Sequence, residues 1–217
     1  MNFDPVFLAS ARTDEELTER IDNRQKYMPE TIEASLEELQ RRGKDFSDEE
    51  LKYIREDIAA RRSHAAAITG RPGIFNSEYK NVIVEDPDAP LMYSTLAIYL
   101  FTFFLSPLFG SIMMAMNISK TGKGNAVAGV ILFGIGFSVL QIILISSMQR
   151  PSSGVSIICG IVGAYCLNYL FWRPYIGFST FYRARPIWVP LVIGILLCGL
   201  AFLSVVYGPA YNKSLAH

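Results

Sequence analysis

Any chemistry in this chain must come from few side chains, and those are unevenly placed. All twenty Asp and Glu residues lie at or before Asp88, and residues 89–217 contain none. There are two histidines, His64 and the terminal His217, and three cysteines, Cys159, Cys166 and Cys198. Intramembrane aspartyl proteolysis needs a pair of aspartates, and a Ser–His hydrolase needs an imidazole beside its serine. The acid-free stretch has no aspartate, and its one imidazole is the last residue. No H-E-x-x-H zinc motif occurs, and the Thr121, Gly122, Lys123, Gly124 turn is not a Walker loop. The cysteines fall inside apolar runs, where thiols act as small hydrophobes. We therefore expect a protein that is not an enzyme and uses no cofactor or metal.

The overall charge of zero conceals two opposed halves. Residues 1–88 carry 13 Lys/Arg against 20 carboxylates, a net −7, while residues 89–217 carry 7 Lys/Arg and are net +7. An acidic first half lacks the basic face that phosphate binding requires, so no nucleic-acid partner is expected. The stretch 5–11 is apolar but short and has no basic residue before it, unlike a secretory signal.

The elements that must position these groups follow from local patterns. Three helices are expected in a soluble acidic domain, residues 1–70. The first covers 14–23 with Thr13 and Glu16 as a capping box, and the third covers 47–67 with Ser47 and Glu50 as another. The second starts at Pro29, where a missing N–H is harmless, and stops at Gly43. Its Ile32, Leu36 and Leu39 recur at helical spacing and form one apolar stripe, with Leu51, Ile54 and Ile58 forming another on the third helix. Such stripes either pack together within the domain or leave Ile32, Leu36 and Leu39 free to dock a partner. Arg41, Arg42 and Lys44 sit favourably at the negative end of the second helix. Glycines and prolines break up residues 71–92, which read as a linker.

Four apolar runs follow, at 93–116, 125–148, 153–172 and 187–207, each about the 20 residues that cross a bilayer. None contains a charge, and Tyr93, Tyr169, Trp172, Trp188 and Tyr207 lie near their ends, as at a headgroup boundary. The fold class is thus all-α: a short cytosolic helical domain followed by a membrane bundle of four hydrophobic segments, residues 93–217. Ser156, Gly160 and Ala164 recur every four residues as a helix-packing seam or homodimer face.

Orientation poses a conflict. With four full crossings, Lys120, Lys123, Arg173, Arg183 and Arg185 lie opposite the acidic domain. The positive-inside rule would then export that domain. If the first run is instead re-entrant, breaking near Ser106, Pro107 and Gly110, every one of those basic residues joins the acidic domain on the cytoplasmic side. Between Phe171 and Pro186, aromatic residues alternate with Arg173, Arg183 and Arg185. This loop is either an interfacial anchor or an anionic-lipid or partner surface.

The segment from Tyr27 to Gly43 follows the pattern Y-x-P-E-x-x-E-A-x-x-x-E-L-x-x-R-G. It resembles a helical motif ahead of the spans in a group of bacterial multi-pass membrane proteins of unassigned function. The stretch from Pro107 to Asn117, followed by a basic glycine loop, is similar to the same group. The resemblance implies a bacterial inner-membrane protein and transfers no catalytic residue; the N-terminal domain is expected in the cytoplasm because no secretory signal precedes it that would export a folded segment. The expected role is a membrane-anchored adapter or accessory subunit, with the lipid bilayer and a protein partner or second copy as its contacts. The alternative is a small oligomeric channel or carrier for a neutral solute or lipid, whose path would run through Gln141 and Asn168.

Overall fold

The computed structural model describes residues 4–68, 77–148 and 153–214, so Arg150, His217 and the start of the expected linker lie outside the described residues. The acidic domain is helical: α1 (Pro5–Ser10), α2 (Asp14–Asp22), α3 (Pro29–Arg41) and α4 (Asp48–Ala67). Both capping boxes form. Glu16 N donates to Thr13 Oγ1 at 3.3 Å while Thr13 N donates to Glu16 Oε2 at 3.0 Å, and Ser47 and Glu50 repeat the exchange. Gly43 ends the α3 region at φ +86°, a left-handed conformation that costs a glycine nothing. Arg41 and Arg42 both bind Glu38, and these hydrogen bonds hold its carboxyl down at about 2.

The apolar stripe of α3 corrects one expectation. Ile32 and Leu39 are 0% and 1% exposed, and Leu36 is buried with them. They form one core with Ala9, Leu17, Ile21, Ile54 and Ile58, because α1, α2 and α4 all close on α3. The stripe is consumed by its own domain, so Ile32, Leu36 and Leu39 do not form a free docking face.

In the apolar half, the first run does not make one helix. It divides into α5 (Thr95–Phe104) and α6 (Pro107–Ile118), with the break at Leu105 and Ser106. Ser94 caps α5 by accepting the Ala97 N–H, Ser106 caps α6 by accepting the Phe109 N–H, and Pro107 takes the first helical position of α6. The chain then folds back on itself. Gly110 faces Thr102 so closely that a Cβ would overlap the Thr102 hydroxyl. At the other end the carboxamide of Asn117, 1% exposed, accepts the Tyr93 N–H and donates to the Tyr93 carbonyl, both at 2.8 Å. At a rise of about 1.5 Å per residue, α5 and α6 are roughly 15 and 18 Å long, about half the hydrocarbon thickness. The expected span over 93–116 is therefore a helical hairpin whose two ends meet.

Among the described residues two helices are long and apolar enough to cross a membrane. One is α7 (Asn125–Ser146); the other is the continuous segment Gly154–Ile176, made of α8 (Ser153–Leu167) and a π-helical extension (Asn168–Ile176). Pro174 sits inside the extension, where it removes one amide donor and crowds the preceding turn, and the wider winding accommodates it. The last helix, α9 (Trp188–Ser214), is apolar over Trp188–Ser204. The described residues are mostly helical, with one small sheet; an extended piece ending at Val84 is expected from the sequence, its pairing is not. Strands β1 (Ile83–Val84), β2 (Leu91–Met92) and β3 (Tyr182–Ala184) run parallel in the order β1-β3-β2.

Replacing Asn117 with Ala leaves the Tyr93 peptide groups unpaired in a dry interior. We expect a loss of about 3 kcal/mol, read as a lowered melting temperature of the full chain in mild detergent. A melting curve unchanged from wild type would show that the clasp does not hold the hairpin closed.

Candidate functional site

The last two carboxylates of the chain build a junction between the acidic domain and the apolar bundle. Asp86 is 0% exposed, yet its oxygens are satisfied by two amides: Met28 N at 3.1 Å and its own-turn Asp88 N at 2.9 Å. Met28 is the N-cap residue of α3 and offers no capping oxygen of its own. Asp86 accepts the amide of Met28 itself from 58 positions along the chain, and places a negative charge near the positive end of the helix. Asp88 receives Arg20 at 2.7 Å and Arg12 at 3.2 Å, and Arg20 is buried. The Glu85 amide adds a bond to the Lys26 carbonyl at 2.8 Å. The expected linker is thus, over its described part, a set of buried contacts.

A second attachment comes from α4. Arg61 donates to the carbonyls of Arg24 at 2.5 Å and Tyr27 at 2.8 Å, and its guanidinium lies 5.6 Å from the Phe181 ring centroid. Burial pulls its pKa below the ordinary guanidinium value, partly offset by Asp57 and Glu30. Met28, Ala65 and Ile68 join Val84, Met92, Trp172 and Tyr182 in one apolar core that also takes in α5 and α6. Tyr182 packs edge-on to Trp172 at 6.0 Å, and burial pushes its hydroxyl up to about 12.

The three arginines of the aromatic loop do not act as one cluster. Arg173 is exposed beside the Tyr169 ring at 5.7 Å. Arg183 is half-buried within β3, where its amide donates to the Pro90 carbonyl. Arg185 lies 5.0 Å from the Tyr93 ring centroid, with its amide on the Met92 carbonyl at 2.7 Å. Of the small-residue series, Gly160 packs on α5, since a Cβ there would come within 3.3 Å of the Phe103 backbone. Ala164 is buried one turn on, while Ser156 stays exposed. A connecting ammonium, Lys123 Nζ, reaches the Pro174 carbonyl at 3.3 Å and ties the two basic loops together.

Two clefts lie on the acidic domain and its edge. One, of about 540 Å³, runs between α3 and α4, with Leu36 and Ile58 at its floor and Glu33, Glu37, Arg55 and Arg62 around it. The other, about 420 Å³, holds His64 beside Gln25, Asp57, Arg61 and Lys80. Among the described residues no three His, Cys, Asp or Glu side chains converge as metal ligands. Comparison with protein-family models, curated proteins and solved structures gave no match.

Sequence reasoning missed Asp86, Asp88, Arg61 and Asn117 as structural keys. The abrupt end of the acidic residues at Asp88 was the one visible signal. Asp86→Ala leaves the buried Met28 amide without its acceptor beside the start of α3, and we expect a loss of about 2 kcal/mol. Hydrogen exchange at the start of α3 should rise in the full chain, and unchanged protection there would remove Asp86 from the junction.

Proposed function

We propose that this chain is a non-catalytic protein of the bacterial inner membrane, an adapter or accessory subunit that displays its acidic helical domain in the cytoplasm. The exposed apolar belt supports the membrane part. Leu132, Ile142, Ile158 and Leu196 are among the many large apolar side chains left open to the surroundings, far more than a water-soluble monomer leaves uncovered.

The observation that carries the reading is the Tyr93–Asn117 clasp. With both ends of the α5–α6 hairpin on one face, α7 crosses away, the α8 segment returns, and α9 crosses away again. Lys120, Lys123, Arg173, Arg183 and Arg185 then share the face of the acidic domain, and the positive-inside rule makes that face cytoplasmic. The junction through Arg61 and Phe181 supports the same arrangement. Three crossings and a half-depth hairpin remove the conflict that four crossings create.

The adapter role rests on a domain held firmly against the bundle with an open cleft of its own. Since the α3 stripe is covered, the partner surface in this reading is the α3–α4 cleft. The carrier alternative draws no comparable support. Asn168 lies two turns below the loop-facing end of its helix and Gln141 lies more than four turns along α7, so the two groups differ in depth by about 12 Å.

On a background lacking the native cysteines, Lys120→Cys should label from the cytoplasmic side of sealed vesicles and Ser147→Cys from the opposite side. Labelling of both from one side would sink the three-crossing topology. Crosslinking in native membranes tests the adapter role. A partner should be recovered with the wild-type chain and lost with Ala59→Trp combined with Glu37→Lys, which plug and recharge the cleft. Recovery of a homo-oligomer alone would refute it.

A further inference from the structure

Resting on the membrane reading above, we propose that the groove between α5 and α9 holds one acyl chain of an anionic phospholipid, whose phosphate sits on Arg185. The groove has a volume of about 410 Å³ and is lined by apolar residues, among them Leu100, Phe101, Phe104, Leu191, Ile195 and Cys198. That volume is in the range of ligand clefts, about 300–1,000 Å³. Its origin is the short hairpin. α9 meets the bundle where Gly194 lies under Leu105, since a Cβ there would come within 2.7 Å of the leucine. On either side of that contact, α5 and α9 stand apart.

The groove's length sets the occupant. Its lining runs along α9 from Ile187 to Cys198, about 16 Å of helix. That is roughly half the hydrocarbon thickness of about 30 Å, the depth of one leaflet. On the opposite wall the second half of α5 contributes Leu100, Phe101 and Phe104, with Leu105 at the break. A groove one leaflet deep, open sideways to the bilayer, matches an acyl chain of the leaflet on the acidic-domain side.

The charge at its mouth sets the headgroup. Arg185 lies two positions before Ile187 and is fixed from two sides, by its amide on the Met92 carbonyl and by its guanidinium over Tyr93, the residue that leads into α5. No Asp or Glu side chain follows Asp88 in the sequence. Asp88 is occupied by Arg12 and Arg20, and Asp86 by two amides. Among the described residues Arg185 forms no ion pair, so a cation without an internal counter-ion lies two positions before the lining residue Ile187. A lipid phosphate supplies the missing charge.

The test uses the full chain, delipidated in mild detergent, with phosphatidylglycerol and phosphatidylcholine of identical chains, read by native mass spectrometry and thermal shift. Wild type should retain phosphatidylglycerol in preference. Arg185→Gln should weaken that lipid about fivefold and leave phosphatidylcholine unchanged, while Arg185→Lys should keep most of the preference. Cys198→Trp, which fills the groove, should reduce binding of both lipids. Equal retention of the two lipids by wild type, or an unaltered preference in Arg185→Gln, would overturn the proposal. So would a disulfide between Cys198 residues of two copies that forms more readily when lipid is removed and leaves no lipid effect, since a second chain would then be the occupant. Vesicle labelling at positions 120 and 147 is independent of these readouts: if it holds while lipid selectivity fails, the groove proposal alone falls.

Discussion

A peptide group left without a partner in an apolar interior costs several kcal/mol, and the rest of this structure depends on how one such group is satisfied. The first apolar run stops being helical at Leu105 and Ser106, which releases backbone donors and acceptors at both ends of two short helices. Ser94 and Ser106 cover the starts of α5 and α6. Asn117 covers Tyr93 with a two-bond pairing that also fixes which way the hairpin faces. An amide side chain suits this position because it donates and accepts at once, matching a peptide group without introducing charge. Because the hairpin closes, each of its arms is only about half as long as α7.

The packing around the hairpin follows from small residues at the right places. Gly110 admits Thr102, Gly134 admits Ser111, Gly160 admits the Phe103 backbone, and Gly194 admits Leu105. In the proposed bilayer setting apolar helices would gain little hydrophobic energy from association, so close approach and the van der Waals contact it brings would hold them. The α5–α9 groove is the place where that approach is incomplete.

Charge is used with similar economy. The acidic domain ends in Asp86 and Asp88, and both are spent on attachment, one to backbone amides and one to two arginines. A buried carboxylate is tolerable when its oxygens are hydrogen-bonded, and Asp86 meets that condition. Arg61 does the same from the other side through two carbonyls and an aromatic ring. The basic loops are left without carboxylate neighbours on their own half of the chain. This is why Arg185, two positions before the groove-lining Ile187, has no ion-pair partner among the described residues.

The sequence alone determined what is local. Capping boxes at Thr13 and Ser47, the proline start of α3 and its glycine stop each need only neighbours within four residues, so their signals survive without knowledge of the fold. Apolar runs likewise announce themselves, because composition sets which segments avoid water. Tertiary structure decided everything that joins distant positions. Ser106 and Pro107 are compatible with a kinked span or a sharp return, and only Asn117 meeting Tyr93 across 24 positions selects the return. The stripe through Ile32, Leu36 and Leu39 demanded a cover, but periodicity does not say whether the cover is α1, α2 and α4 or another protein. Asp86 holding the Met28 amide, and β3 joining two strands from the supposed linker, depend on pairings that no local pattern specifies. The physical reason is common to all of them: a hydrogen bond or an apolar contact fixes the chemistry required of its partner, never the partner's distance along the chain.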